Sequence, residues 1–248
     1  MQVKIKNLTK EQIASVCDHT YLNRPEAFRG RVENPVEARR QEFYKFMEES
    51  VRLNPYAVCV RPEDCRNARD FLGKKSEIVI ASVVGFPNSN DYPTDFKIAE
   101  TELAMRYGAK EIDMVLDYER FKQGDTDYIE KDIEAVKNRV AERHGLLKLI
   151  LETSELSEEE VAEIAKLAND WGVDFIKTSS GFASKGAEAE KVRIMKEHFK
   201  KGVKISGGIN AENIYMLLEA ASGRNDGYIE LDPAKIRIGE SSLLQKMQ

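Results

Sequence analysis

Short apolar runs alternate along this chain with longer stretches in which apolar residues recur every three or four positions. The short runs are typical of buried strands, and the longer stretches are typical of amphipathic helices. Eight strands are predicted, at residues 15–19, 57–60, 78–85, 111–117, 146–153, 174–179, 203–207 and 235–239. Because a helical stretch follows most of these strands, the pattern predicts an α/β fold, a (β/α)8 TIM barrel with a parallel sheet.

The clearest helix follows the fifth predicted strand. Ser157 is a predicted N-cap, Glu160 completes a capping box with it, and Gly172 is predicted to end the helix. Comparable helical patterns lie at residues 62–72, 94–107, 127–143, 188–199 and 211–221. No internal repeat or low-complexity linker interrupts the series, so we expect residues 1–248 to form a single barrel domain with an extra N-terminal helix.

Two segments depart from the regular alternation. Residues 23–51 form a long connection after the first strand, polar at its start and helical from Pro35 onward. Residues 223–233 precede the last strand, and their GRNDG sequence is typical of a turn. Both segments are expected on the surface, and the longer one is predicted either to shape the entrance of the barrel or to form a subunit contact.

Composition favours one acidic barrel and argues against two kinds of partner. The chain has 248 residues, with 38 Lys plus Arg and 43 Asp plus Glu, which gives a formal net charge of -5. A barrel of about 250 residues uses the whole length, and nucleic-acid binding is not expected because it requires a basic surface. No window approaches the roughly 18 apolar residues that a membrane span requires, so we predict a cytoplasmic protein without a membrane partner.

Cysteine and histidine usage gives no metal-site pattern. Cys17, Cys59 and Cys65 are spaced unlike a zinc ribbon or a thioredoxin motif, so reduced buried thiols are expected. Three histidines are present, and no two of them lie within four residues of each other. We therefore expect no bound metal, and any chemistry has to come from Lys, Asp, Glu, Ser or Tyr.

Four neighbouring predicted strands each carry a charged residue where a buried strand is normally apolar. These residues are Asp113, Lys148, Lys177 and Lys204. Because side chains alternate along a strand, Leu147 faces the helices while Lys148 faces the barrel interior, and the same alternation turns Lys177 and Lys204 inward. A barrel built for stability alone would fill these positions with aliphatic residues, so the pattern indicates a reactive site.

Two lysines and a carboxylate in one buried volume are suited to amine catalysis. A lysine attacks a carbonyl only as the neutral amine, and a second ammonium nearby favours that form by making the charged form costlier. Lys177 and Lys204 fit such a pair, and Asp113 offsets their charge and can transfer protons during imine and enamine steps. The residues alone do not decide which lysine forms the imine.

The last two predicted strands end in glycine-rich turns, SGGIN at residues 206–210 and RIGESS at residues 237–242. At the carboxyl ends of the final barrel strands, such turns and the helix N-termini that follow them expose backbone amides. Backbone amides arranged in this way bind phosphate groups. The two turns therefore predict an anion site.

Eight motifs lie in order along the chain from residue 18 onward. They are DHTYL at 18–22, AVCVRP at 57–62, VVGFP at 83–87, EIDMV at 111–115, LKLILET at 147–153, DFIKTSSGF at 174–182, VKISGG at 203–208 and RIGESS at 237–242. Together they resemble the deoxyribose-phosphate aldolase family. The resemblance implies a metal-free class I aldolase with no cofactor, which reversibly cleaves 2-deoxy-D-ribose 5-phosphate to D-glyceraldehyde 3-phosphate and acetaldehyde.

The resemblance also assigns roles to individual residues. It implies that Lys177 is the Schiff-base nucleophile, that Lys204 is its neighbouring ammonium, and that Asp113 transfers protons. Asp18 joins them as a further catalytic position. The implied substrate-binding residues are Thr20, Cys59, Lys148, Ser180, Gly181, Gly207, Gly208, Gly239, Ser241 and Ser242. The glycines of this set, with its last two serines, would hold the phosphate group.

Three positions depart from the family pattern. Ser180 replaces a threonine, Asn210 stands where many members have a basic residue, and Glu240 stands where a small or neutral residue is usual. Glu240 would repel a phosphate by about 1 kcal/mol or more unless it points away or pairs with a cation. These departures leave open a related class I aldolase with a different or non-phosphorylated acceptor aldehyde, and a non-catalytic sugar-phosphate-binding barrel. The expected partners are a small sugar-phosphate substrate and a second copy of the chain in a homodimer.

Overall fold

Eight parallel strands form a closed barrel at the centre of the computed structural model, which describes residues 2–247. In chain order the strands are β1 (Gln2–Lys4), β2 (Cys17–Thr20), β3 (Ala57–Val60), β4 (Val79–Val84), β5 (Glu111–Val115), β6 (Leu146–Ile150), β7 (Phe175–Lys177), β8 (Gly202–Ser206), β9 (Tyr228–Glu230) and β10 (Ile236–Glu240). The barrel runs from β2 to β8 in chain order, and β10 closes it between β8 and β2. All eight predicted strands are present in it, so the predicted TIM barrel is confirmed.

Helices follow the barrel strands and cover the outside of the sheet. They are α1 (Lys10–Ala14), α2 (Pro35–Leu53), α3 (Cys65–Leu72), α4 (Thr94–Arg106), α5 (Tyr118–Lys122), α6 (Thr126–Ala141), α7 (Glu158–Asp170), α8 (Ala189–His198), α9 (Ile214–Ser222) and α10 (Leu243–Lys246). The predicted capping box of α7 is formed, because the side chains of Ser157 and Glu160 each accept a hydrogen bond from the other's backbone amide. Within residues 2–247, no helix has both the length and the apolar character that crossing a bilayer requires.

Alternation of side chains gives each barrel strand an outer and an inner face. On β6, Leu147 packs in the large core under the helices, whereas Ile150 belongs to a small inner cluster that also contains Cys59. The inner face of β6 and of the neighbouring β5 also carries Lys148 and Asp113, which are fully buried. The predicted inward orientation of these charges is therefore confirmed, and they lie within the barrel itself.

The segment before the last barrel strand is more regular than its turn-rich sequence predicts. Tyr228–Glu230 forms β9, which pairs with β1 in a separate antiparallel sheet. In β9 the side chain of Ile229 is buried and its two neighbours are exposed, which is the alternation of a half-buried strand. Three residues are too few for this period to stand out beside the adjacent GRNDG sequence. Residues 223–227 form the predicted turn, and the strand that follows them was not predicted.

The long connection after the first strand folds into two helical pieces. Pro25–Phe28 forms a 3-10 helix, and α2 extends from Pro35 to Leu53, where Asn54 ends it in a left-handed conformation. Phe43, Phe46 and Met47 of α2 are buried. One face of α2 lines the cavity at the carboxyl ends of the barrel strands, so this connection contributes to the entrance of the barrel.

Candidate active site

A cavity of about 680 Å³ opens at the carboxyl ends of the barrel strands. Its wall comes from the segments that end or follow β2, β7, β8 and β10, and from α2. In a parallel barrel this end of the strands carries the loops that bind substrates. Lys177, the last residue of β7, lines the cavity and is the inward lysine that reaches its wall.

Beneath the cavity floor, Asp113 joins the three inward lysines through hydrogen bonds. Its Oδ2 atom accepts from Nζ of Lys177 at 2.9 Å and from Nζ of Lys204 at 2.8 Å. Its Oδ1 atom accepts from Nζ of Lys148 at 2.7 Å. The strand register explains this convergence, because Asp113 lies opposite Lys148 across β5 and β6, and Lys177 lies opposite Lys204 across β7 and β8.

Two further charged residues complete the cluster and are absent from the set that the motifs nominate. Arg237 donates to Asp18 at 2.8 Å and to Glu111 at 2.7 Å, and Lys148 lies 2.7 Å from Glu111. Lys204 also donates to Asp18. Glu111 precedes Asp113 by two residues on the same strand, and strand alternation places both on the inner face. The two-residue spacing from Asp113 could therefore have identified Glu111 from the sequence. Arg237 likewise lies two residues before Gly239 on β10, so it also faces the barrel interior.

The buried carboxylates of Asp113 and Asp18 keep Lys204 in the charged state. Burial alone would lower the pKa of Lys204, but the carboxylates of Asp113 and Asp18 outweigh burial and raise it. Burial alone would raise the pKa of Asp113, but the ammonium groups of Lys148, Lys177 and Lys204 hold it well below its usual range. The cluster is therefore a set of ion pairs, and Lys204 is a cation within it.

The geometry distinguishes the two lysines that the sequence pattern treats as equivalent. Lys177 lines the cavity, whereas Lys204 is fully buried and lies below the wall. Lys177 is held by one carboxylate, Asp113, whereas Lys204 is held by both Asp113 and Asp18. A ligand in the cavity therefore meets the amine of Lys177 first.

The predicted catalytic and substrate-binding residues divide into those that line the cavity wall and those that lie beneath the cavity. The wall contains the cavity-lining members of the set: Thr20, Ser180, Gly181, Gly207, Gly208, Gly239, Ser241 and Ser242. Asp18, Cys59, Asp113, Lys148 and Lys204 lie beneath the cavity and do not line it. Burial raises the pKa of the Cys59 thiol, so this side chain is a packed neutral group under the site.

Gly239 allows the last strand to approach the lysine cluster closely. A Cβ atom built at this position would lie 2.8 Å from Cβ of Ser206 and 3.0 Å from Cε of Lys204. Both distances are shorter than ordinary van der Waals contact. A side chain at position 239 would therefore force Ser206 to shift and would press on the Lys204 side chain.

Glu240 is buried and has partners on both carboxylate oxygens. Its Oε1 accepts from Nδ1 of His19 at 2.7 Å, and its Oε2 accepts from the backbone amides of Leu243 at 2.7 Å and Leu244 at 3.4 Å. His19 and the start of α10 thus hold the carboxylate that the sequence places beside the predicted phosphate site. The first amides of α10 are not available to a ligand, which corrects the expectation of exposed amides at this helix terminus.

Asn210 is a turn residue in this fold. Its Oδ1 accepts from the amides of Glu212 at 2.9 Å and Asn213 at 3.1 Å, and its own amide donates to Oδ1 of Asn213 at 2.9 Å. This reciprocal pair closes the loop between β8 and α9. In this chain, the side chain of Asn210 therefore stabilises the loop between β8 and α9.

Glu152 is a buried carboxyl two residues after the end of β6, and the motif roles do not include it. Its backbone has a φ of +53°, which is uncommon for a residue with a side chain. Its Oε2 accepts from the amide of Ser180 at 3.1 Å, and its Oε1 has no hydrogen-bond partner within residues 2–247. Burial raises the pKa of Glu152. The residue fixes the turn that places Ser180 and Gly181 on the cavity wall.

Comparison with known proteins places this site in a family. The sequence profile of the DeoC/LacD family aldolases matches residues 13–244. The chain belongs to the DeoC/LacD family of aldolases. Within residues 2–247 of this DeoC/LacD aldolase, no group of three or more His, Cys, Asp or Glu side chains is arranged to hold a metal ion.

Curated relatives and solved structures agree with the family. The deoxyribose-phosphate aldolase of Thermococcus gammatolerans is 38% identical over 86% of this chain and 90% of its own length. That of Aciduliprofundum boonei is 39% identical over 86% of this chain and 91% of its own length. The aldolase QR15 aligns with a TM-score of 0.75 and 28% identity over 94% of this chain and 95% of its own.

A tetrameric deoxyribose phosphate aldolase from Aeropyrum pernix shares the fold at lower identity. Its structure aligns with a TM-score of 0.75 and 20% identity, over 98% of this chain and 93% of its own. At that identity the likeness supports the barrel alone. The DeoC/LacD aldolase therefore has the fold that its strand pattern predicts.

Proposed function

We propose that this DeoC/LacD aldolase is a deoxyribose-phosphate aldolase, which cleaves 2-deoxy-D-ribose 5-phosphate reversibly to D-glyceraldehyde 3-phosphate and acetaldehyde. One observation carries the proposal: Lys177 lines the cavity while its Nζ donates to the buried carboxylate of Asp113 at 2.9 Å. An amine that reaches substrate and also touches a proton acceptor is the arrangement that Schiff-base chemistry requires. The names of the curated relatives support the same substrate.

In the first half of the reaction, Lys177 acts as the nucleophile. Its neutral amine attacks the aldehyde carbon C1 of the open-chain sugar and forms a carbinolamine. Loss of the C1 oxygen as water then gives a protonated imine, which can accept the electrons of the C2–C3 bond. Asp113, in contact with Nζ of Lys177, is placed to accept and return protons during these steps.

In the second half, the C2–C3 bond breaks. A base removes the proton of the C3 hydroxyl, C3 becomes the aldehyde of glyceraldehyde 3-phosphate, and the bonding electrons pass to the imine to form an enamine. Protonation of the enamine at C2 restores the imine, and water hydrolyses it to acetaldehyde and free Lys177. Asp113, directly or through a water molecule, is the proposed proton carrier for these transfers.

The charges of the buried cluster suit a neutral Lys177. Four cationic side chains, those of Lys148, Lys177, Lys204 and Arg237, face three carboxylates, those of Asp18, Glu111 and Asp113. When Lys177 reacts as the neutral amine, the remaining three cations balance the three carboxylates. Lys204 keeps its charge because both Asp113 and Asp18 bind it. These contacts support Lys204, Asp18 and Lys148 as the residues that hold Asp113 in place.

Free donors on the cavity wall support a phosphate at the opposite end of the substrate. The backbone amides of Gly181, Gly208, Ser241 and Ser242 donate to no protein acceptor within residues 2–247. Amides and serine hydroxyls that converge on a cavity form an anion site without a full positive charge. We assign the phosphate to these groups, together with Gly207 and Gly239, which shape the turns between them.

A comparison of two substrates tests the function. The value of kcat/KM for 2-deoxyribose 5-phosphate is expected to exceed that for free 2-deoxyribose by a large factor, because the phosphate contacts contribute only with the first substrate. Equal values would instead support an aldolase for a non-phosphorylated aldehyde. Tight binding of the sugar phosphate without turnover would support a binding barrel. In the proposed metal-free mechanism, EDTA leaves the rate unchanged.

A homodimer and a cytoplasmic location complete the proposal. The three cysteines, Cys17, Cys59 and Cys65, are unpaired and buried, as expected for a protein that works in a reducing compartment. The Aeropyrum pernix protein is described as a tetramer, so light scattering coupled to size-exclusion chromatography is the measurement that distinguishes a dimer from a larger assembly here.

A further inference from the structure

One face of α2 forms the outer wall of the cavity. Glu42, Lys45, Phe46 and Glu49 line the cavity from this helix, at the three- and four-residue spacing of a single helical face. Phe46 fixes the helix to the barrel, because its ring stacks on His19 with the ring centroids 4.7 Å apart. The contact with His19 therefore fixes this face of α2 beside the cavity.

The carboxylate of Glu42 on this side of the cavity is engaged by protein groups. Oε2 of Glu42 accepts from the hydroxyl of Tyr21 at 2.8 Å and from Nδ2 of Asn23 at 3.0 Å. Oε2 of Glu49 lies 3.9 Å from Nε2 of His19, whose other nitrogen donates to Glu240. None of these carboxylates forms an ion pair with Lys45.

Lys45 is thus a cation on the cavity wall whose ammonium group contacts no acceptor within residues 2–247. Its side chain forms no hydrogen bond or ion pair with any residue from 2 to 247, and the residue is exposed. Lys177, the other lysine on the wall, is held by Asp113. No other Lys or Arg side chain of residues 2–247 lines the cavity.

We propose that Lys45 binds the phosphate of the substrate and determines the preference of the enzyme for phosphorylated sugars. This inference rests on the proposed function, and it adds the group that supplies the positive charge. A lysine is a compact charge on a flexible stem, which suits it to pair with a phosphate held by backbone amides. Helix α2, which lies in the long connection between β2 and β3, would then contribute to substrate specificity through Lys45.

Substitution of Lys45 tests the proposal through a ratio of two rates. In Lys45→Gln, the ratio of kcat/KM for 2-deoxyribose 5-phosphate to kcat/KM for free 2-deoxyribose is expected to fall about tenfold, which corresponds to about 1.4 kcal/mol. The fall is expected in KM rather than in kcat, because the contact is remote from the reacting carbons. Lys45→Arg keeps the charge and is expected to retain most of the ratio. Inorganic phosphate, used as a competitive inhibitor, is expected to bind Lys45→Gln more weakly than wild type.

Arg52 provides the matched control. It is an exposed cation on the same helix, outside the cavity, so Arg52→Gln removes the same net charge without touching the wall. An unchanged ratio in Lys45→Gln, or an equal fall in Arg52→Gln, overturns the assignment of Lys45. The wild type is measured first: if it shows no preference for the phosphorylated sugar, the proposed function itself fails, which is a different result from an unchanged ratio in the variant.

Discussion

Lys177 and Lys204 donate hydrogen bonds to the same carboxylate oxygen, Oδ2 of Asp113, at 2.9 and 2.8 Å. One oxygen therefore lies between the amine that lines the cavity and the ammonium buried beneath it. A change in the charge of either lysine acts on the other through this single atom. The arrangement makes Asp113 the residue whose loss affects both lysines at once.

Replacement of Asp113 tests its proposed role as proton carrier. Asp113→Asn is expected to lower kcat by roughly 10²–10⁴-fold, the usual contribution of a positioned acid or base. Steady-state kinetics with 2-deoxyribose 5-phosphate measure the effect. Asp132→Asn is the matched control, because Asp132 is also a buried aspartate bound to a lysine, Lys97 at 2.6 Å, but lies outside the cavity. An unchanged kcat in folded Asp113→Asn contradicts the role.

The buried aspartates also make stability depend on pH. Burial alone would raise the pKa values of Asp18 and Asp113, but the surrounding cations outweigh burial and hold both below the usual range. A carboxyl of this kind contributes stability that is fully present above its unfolded pKa of about 3.9. That contribution is lost as the pH falls through the folded pKa.

We therefore expect the free energy of unfolding to decrease as the pH falls below about 4. Urea denaturation across this range measures the decrease, and the decrease is expected to be smaller in Asp113→Asn, which lacks one of the two titrating groups. The comparison uses slopes against pH, so a uniform loss of stability in the variant does not affect it. An identical slope in the two proteins would show that Asp113 has an ordinary pKa.

Glu240 is expected to stabilise the last turn of the wall. In Glu240→Ala, His19 and the amides of Leu243 and Leu244 lose their acceptor, and buried donors without partners cost about 1–3 kcal/mol. The free energy of unfolding is expected to fall by that amount, and KM for the sugar phosphate is expected to rise because Ser241 and Ser242 lose their support. If Glu240 instead only repels the phosphate, KM falls in this variant.

Side-chain alternation made much of the fold and of the cluster predictable. The eight barrel strands and the inward positions of Asp113, Lys148, Lys177 and Lys204 follow from local patterns of charged and apolar residues. By contrast, β9 is three residues long and lies beside a turn, so its period is hidden. A strand that short is defined by its partner, β1, which is distant in sequence.

Only the three-dimensional structure shows which of the two lysines a ligand can reach. Lys177 and Lys204 lie opposite each other across β7 and β8, yet Lys177 lines the cavity and Lys204 is fully buried. A sequence motif does not show which of two paired lysines lines a cavity. The state of Glu240 was equally inaccessible, because its partner His19 is 221 residues away in the chain.

The most direct test is to trap the covalent intermediate. The protein is incubated with acetaldehyde, the imine is reduced with borohydride, and the modified peptide is identified by mass spectrometry. Reduction converts the imine into a stable N-ethyl lysine, and we expect this modification on Lys177, with no trapping above background in Lys177→Met. Modification of Lys204, or equal modification of wild type and Lys177→Met, would contradict the assignment of Lys177 as the Schiff-base lysine.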